Sequence, residues 1–204
     1  MNTYPSKLLE EAISEFVKLP GIGRRTALRL ALWLLKQDSS KSHALGKSII
    51  NLRDNITYCK SCHNIADTEL CNICSNPARD NKIICVVEDI RDFMAVENTN
   101  QFKGVYHILG GIISPMEGIG PQDINIDSLL SKTNTGEIRE VIMALPSTTE
   151  GDTTAFYIFR KIKENVPVIS VISRGVAIGD DLEYADEVTL GKSIRNRIPF
   201  ENGI

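Results

Sequence analysis

Apolar residues in the first fifty positions recur at helical spacing: Leu9, Ile13, Phe16 and Val17, then Ala27, Leu30, Ala31 and Leu34 after a short break. That period predicts two amphipathic helices. The break, Leu19-Pro20-Gly21-Ile22-Gly23, holds a proline that stops the first helix and glycines that allow a turn other residues resist. A helical hairpin is expected, followed by a third helix from about Ser42 to Arg53. Beyond Pro77 the pattern changes to short apolar runs, Ile83–Val87, Val105–Leu109, Val141–Leu145 and Pro167–Ile172, of the kind that form buried parallel strands. Helical stretches over Asp89–Glu97, Asp127–Lys132 and Thr153–Glu164 separate them, with Asp89 and Asp127 as candidate caps. Strands alternating with helices indicate an α/β sheet. The glycine-rich interval from Gly110 to Gly120 is expected to be a long loop.

Between the helical and the α/β parts lie four cysteines, Cys59-x-x-Cys62 and Cys71-x-x-Cys74, as two knuckles separated by eight residues. Each two-residue gap lets one tight turn present two sulfurs to the same ion, and four thiolates complete the tetrahedral shell that Zn²⁺ prefers. A filled shell has no open position for water, so one structural zinc ion per chain is expected, acting as a fold staple. The alternative is a pair of disulfides or redox dithiols. His63 is expected to stand aside, since the four sulfurs suffice. The fifth cysteine, Cys85, lies in the apolar run Ile83–Val87 and is expected in the core.

The 204 residues are 42% hydrophobic and 24% charged, within the range of ordinary globular proteins and enough for one large or two small cores. The N-terminus lacks a basic stretch leading into an apolar run, and no segment approaches the ~18 apolar residues of a membrane span, so a cytoplasmic protein is expected. The net charge of −3 conceals an asymmetry: residues 1–54 carry nine Lys/Arg against five Asp/Glu, whereas the remainder carries fourteen against twenty-one. A basic N-terminal module on an acidic body suggests polyanion contact at one end and protein or metal contact at the other.

The second predicted helix opens on Gly21-Ile22-Gly23-Arg24-Arg25-Thr26. Its free N–H groups and the positive end of its dipole suit a phosphate, and Gly23 would let a DNA backbone approach closely. Arg24, Arg25 and Arg29 would add contacts to neighbouring phosphates, none of which carries sequence information. A helical hairpin with a solvated basic face is the plainer alternative.

Two acidic groups sit where open α/β sheets place ligands: Glu88 after the first strand, and Glu150 and Asp152 after the third. The arrangement resembles the Toprim fold of topoisomerases, primases and some nucleases, in which an Asp-x-Asp-x-Glu-Gly-Glu type segment holds Mg²⁺. Aligned on Glu150-Gly151-Asp152, the two aspartates of that pattern fall on Pro146 and Thr148, which supply no carboxylate. No catalytic residue is expected. Glu88, Glu150 and Asp152 are expected to form a protein-docking surface, with a solvated strand-end cluster as one alternative and a Mg²⁺-dependent Toprim nuclease or topoisomerase-like enzyme as another.

Taken in order, Leu19-Pro-Gly-Ile-Gly-Arg-Arg-Thr-Ala27, the Cys59–Cys74 knuckles, Val87-Glu88, Thr149-Glu-Gly-Asp-Thr-Thr-Ala155 and the segment from Ser173 to Asp186 resemble the RecR family of bacterial recombination mediators over nearly the whole chain. The resemblance implies a multidomain α+β protein: a helix–hairpin–helix DNA-binding domain at 1–54, a four-cysteine zinc finger at 55–78, a Toprim domain at 79–174 and an oligomerisation segment at 175–204. It further implies a non-enzymatic DNA-repair protein, a homodimer or ring-shaped homotetramer. Such a protein works with RecO, and in many cases RecF, to help load RecA on single-stranded DNA. By position it assigns DNA contact to Gly21, Gly23, Arg24, Arg25 and Arg29, and partner contact to Glu88, Glu150 and Asp152.

Overall fold

The computed structural model describes residues 4–176, 179–197 and 199; the rest of the expected 175–204 segment lies outside the described residues. The chain divides into two compact units, Met1–Ile56 and Thr57–Ile204.

In the first unit α1 (Lys7–Val17) and α2 (Arg24–Leu35) form the expected hairpin. Ile13 of α1 is buried against Ala27 and Ala31 of α2, and Leu9, Phe16, Ile22 and Leu28 close over them. Alanine on α2 lets the two helices approach. The helix–helix turn follows from its residues: Leu19 N–H donates to the Phe16 carbonyl, and Gly21 then takes φ +77°, a left-handed conformation that glycine adopts without strain. The third helix, α3 (Ser39–Asn55), starts three residues earlier than the apolar pattern indicated. The Asp38 side chain accepts from Ser40 N–H and so caps it.

The second unit opens on the cysteine knuckles, which carry β1 (Thr57–Tyr58) paired antiparallel to β2 (Ile65–Ala66). A parallel sheet follows, built from β3 (Asp80–Val87), β4 (Gly104–Ile108), β5 (Glu140–Ala144) and β6 (Val168–Val171) in the order β4-β3-β5-β6. Side chains alternate across it as the strand period requires. Ile84, Val86, Val141 and Met143 pack on one face with α5 (Ile126–Thr133) and α6 (Thr149–Ile162). Cys85, Val87 and Tyr106 pack on the other with Ile90, Phe93 and Val96 of α4 (Ile90–Asn98). Burial pushes the Cys85 thiol up to about 12, in keeping with a core residue. The chain leaves β3 to one side for β4 and returns to the other for β5, so the sheet switches direction at the carboxyl end of β3, where Glu88 stands.

Two expectations need correction. Asp89 does cap α4, accepting from Arg91 and Asp92 N–H, but Asp127 lies inside the first turn of α5, whose N-cap is Asn125. The helix expected from Thr153 begins four residues earlier, because the Thr148 hydroxyl accepts from Gly151 N–H and nucleates the turn. The interval 110–120 is a loop as expected, and it is pinned: Ser114 and Ile119 pair through two backbone hydrogen bonds of 3.0 and 2.9 Å around a short 3₁₀ turn, Pro115–Glu117.

Arg79 ties the end of the knuckle region to the sheet. Its guanidinium donates to both Glu97 oxygens and to the Phe102 carbonyl, and Tyr106 Oη donates to Glu97 at 2.8 Å. Burial alone would raise the Glu97 carboxyl, but the hydrogen bonds from Arg79 and Tyr106 outweigh it and hold the group below its usual value. A depressed folded-state pKa means the stabilisation is complete above the unfolded carboxylate value of about 4.3 and is lost as pH falls through the folded value. Glu97→Gln is therefore expected to cost about 1.5–3 kcal/mol at neutral pH, the range for hydrogen bonds to a charged group. It should also flatten the acid limb of stability against pH. Urea unfolding of both proteins between pH 3 and 7 measures this, and an unchanged difference across that range would contradict the assignment.

Candidate metal centre and nucleic-acid interface

The sulfurs of Cys59, Cys62, Cys71 and Cys74 all lie within 4.8 Å of one another, and those of Cys62 and Cys71 are 3.5 Å apart. Sulfurs about 2.3 Å from one ion at tetrahedral angles are about 3.8 Å apart, so the set fits a four-coordinate metal. Three of the four residues are buried. The first knuckle is shaped by its backbone: Cys59 N–H donates to the Asn64 carbonyl at 2.7 Å, and His63 N–H to the Cys59 carbonyl at 3.0 Å. With no metal bound, the hydrogen bond from Cys62 drives the Cys74 thiol down to about 5, and the same bond, with burial, drives Cys62 up. A divalent ion replaces that unequal sharing by holding all four as thiolates. Among the described residues no other group of three Cys, His, Asp or Glu side chains converges in this way.

The knuckles are joined to the sheet by polar contacts. Ile108 N–H, at the end of β4, donates to the Cys62 carbonyl at 2.9 Å. His63 lies outside the converging group of four cysteines; it takes φ +63° and places Nε2 2.7 Å from Ser128 Oγ on α5. His107 of β4, fully buried, uses Nε2–H to donate to the Asn125 carbonyl at 2.7 Å, which leaves Nδ1 to accept from Lys132 Nζ at 3.3 Å. Burial, reinforced by Lys132, pushes His107 down to about 3, so the ring is neutral at physiological pH. Lys132 Nζ also donates to the Ser61 carbonyl, between the cysteines of the first knuckle. None of these partners was legible in the sequence, because Ser61 and Lys132 are 71 residues apart and no spacing rule links them.

In the first unit α2 starts at Arg24, with Gly23 as its N-cap in extended backbone, φ −84°. Gly23 thus needs no special conformation, unlike Gly21; a Cβ there would meet nothing within 4 Å, so the space above the turn is open. Arg24, Arg25 and Arg29 are all exposed, and among the described residues none is in an ion pair. The first turn of α2 has no acidic residue.

Comparison with known proteins matches these parts one by one. Residues 9–52 match the family described as RecR, helix-hairpin-helix; 56–76 match the four-cysteine zinc finger domain of RecR; 82–172 match the Toprim domain; and 175–198 match RecR, C-terminal. The chain is 61% identical over 197 residues to the recombination protein RecR of Phocaeicola vulgatus, covering 97% of this chain and 96% of that protein. It is 57% identical over 199 residues to that of Flavobacterium psychrophilum, covering 98% and 97%. The chain belongs to the RecR family.

The acidic trio lies in the Toprim region of this RecR chain but does not come together as a metal site. Glu88 follows β3, half-buried, its carboxyl raised by burial and by the nearby Asp92 and Asp89. Glu150 and Asp152 stand in the first turn of α6. Asp152 is engaged by Arg174 at 2.6 Å, which holds its carboxyl below the usual carboxylate range. Thr148, standing where the Toprim pattern has an aspartate, spends its hydroxyl on capping α6. A Cβ on Gly151 would lie 2.1 Å from the Pro146 carbonyl oxygen, so only glycine lets the strand end pass this close beneath the helix. Among the described residues no helix is long and apolar enough to cross a membrane.

Proposed function

We propose that this RecR chain is a non-enzymatic, cytoplasmic DNA-binding mediator of recombinational repair. The observation that carries the proposal is the open N-terminal turn of α2: Gly21 and Gly23 leave its amides accessible, and Arg24, Arg25 and Arg29 are exposed without acidic partners among the described residues. Free amides, helix dipole and unpaired guanidinium groups suit successive phosphates and read no base sequence. A single such turn binds weakly, so a homodimer or ring-shaped homotetramer presenting several hairpins to one DNA supplies the affinity.

In this reading each chain holds one structural Zn²⁺ through Cys59, Cys62, Cys71 and Cys74, an all-thiolate set suited to zinc. Glu88, Glu150 and Asp152 at the carboxyl edge of the sheet serve protein docking. Family membership supports RecO as a partner, RecF as a second, and RecA loading on single-stranded DNA as the outcome. Residues 1–54, 55–78, 79–174 and 175–204 then divide the work among DNA contact, metal staple, partner docking and assembly.

The test is retention of fluorescent single- and double-stranded DNA by the purified protein across a salt titration, with Mg²⁺ present and the DNA recovered for length. Intact DNA held in a salt-sensitive, sequence-tolerant way is the expected result. Shortened or relaxed products would support the Toprim enzyme instead, and DNA that is never retained would remove the hairpin reading.

A further inference from the structure

The geometry points to Lys132 as the counter-cation of the four-thiolate metal centre, a positioning residue on α5 that holds the metal-loaded knuckles against the sheet. A divalent ion held by four thiolates carries a double negative charge, and a charge of that size in a mostly buried site needs compensation nearby. Lys132 is itself half-buried, and among the described residues it has no carboxylate within ion-pair distance. A half-buried ammonium without an acidic partner and an uncompensated thiolate cluster each carry a desolvation cost. Each accounts for the other.

The side chain is placed for this role. Its ammonium donates to the Ser61 carbonyl, inside the Cys59–Cys62 loop, and to Nδ1 of neutral His107 at 3.3 Å. Cys74 of the second knuckle and Ser61 of the first line one small cavity together with it. The remaining titratable groups around it do not compete. His63 packs edge-on to His107 and is engaged by Ser128 Oγ at 2.7 Å. Glu137 lines the same small cavity of about 290 Å³ but is exposed. Outer groups of this kind commonly tune how firmly a metal is held.

The inference rests on the metal reading above, and the experiment separates the two. Full-length protein is prepared with zinc and, separately, with cobalt(II), as the parent and as Lys132→Met, Lys132→Gln, Lys132→Arg and Leu129→Ala. Lys132→Met removes the charge and keeps the stem; Lys132→Gln keeps a donor for the Ser61 carbonyl. Leu129→Ala loosens the same helix from its buried side. The readouts are the rate of zinc transfer to an excess of chelator and the thiolate-to-cobalt charge-transfer band.

Loss of the charge is expected to speed metal release about tenfold or more and to shift the band. Lys132→Arg should restore both in part, and Leu129→Ala should leave the band in place. If Lys132→Met does not fold, Lys132→Gln carries the test. Parental release and an unmoved band in the neutral variants, or an equal change in Leu129→Ala, would overturn the role of Lys132. A parent that binds neither metal would overturn the metal centre itself.

Discussion

Exchanging Arg24 and Arg25 together for glutamate is expected to release the protein from DNA at ordinary salt while leaving its fold intact. Both side chains are exposed and unpaired among the described residues, so the substitution breaks no internal ion pair. Each phosphate left without its arginine lowers the magnitude of the salt slope by about 0.9 on duplex and about 0.7 on single strands, which near 0.1 M salt is roughly tenfold in affinity. Two such phosphates amount to about a hundredfold, and the new carboxylates add repulsion. The positive end of the α2 dipole accommodates those carboxylates, so the helix itself is spared. Fluorescence anisotropy across a salt titration reads both affinity and slope. If neither changed, the DNA interface would have to lie away from the hairpin.

Removing the metal is expected to have the second large effect, and on stability instead of binding. Structural zinc contributes about 10–16 kcal/mol in isolated finger peptides, against about 5–15 kcal/mol for the whole stability of a domain. Here the sheet has its own core, so part of the second unit should survive. Even a loss of about 4 kcal/mol lowers the unfolding midpoint by about 8–16 °C in a protein of this size. Cys59→Ser, which leaves three thiolates, and stripping by chelator under reducing conditions should both do so, together with loss of one metal ion per chain. Scanning calorimetry paired with metal analysis makes the check; full thermal stability in metal-free protein would reduce the centre to an ornament.

The elements that were legible in the sequence are those with a periodic signal. Leu9, Ile13 and Phe16 mark α1, and the runs around Ile84, Tyr106, Met143 and Ile169 mark the four strands, because burial on one stripe or on both faces imposes a period. The cysteines announce themselves through turn geometry. What stayed hidden are the side-chain decisions at the ends. Thr148 and Asp38 start their helices earlier than the apolar pattern, since a cap is a local hydrogen bond and leaves no periodic trace. Asp127 has the composition of a cap, yet the chain turns at Asn125, whose side-chain amide donates to the Ile108 carbonyl and whose backbone carbonyl accepts from His107.

The candidate site divides in the same manner. Spacing singled out the four sulfurs and dismissed His63 as a ligand, but the tie from His63 to Ser128 depends on a positive φ that nothing around it foretells. Likewise the pairing of Asp152 with Arg174 spans 22 residues and appears only once α6 and the chain beyond β6 are side by side. Glycine was legible as a class and not as a role. Gly21 is the turn residue and Gly151 the close approach, whereas Gly23 has ordinary backbone.

The hydrogen bond from Ile108 to the Cys62 carbonyl has a bearing on how the protein is made. All four cysteines of the candidate metal centre precede the whole of the parallel sheet in the chain, so a ribosome has finished the knuckles before β3 begins to emerge. Metal capture therefore need not wait for the sheet. The last amide of β4, by contrast, finds its acceptor on the first knuckle, so this contact at the sheet's edge joins a segment made early to a strand made later.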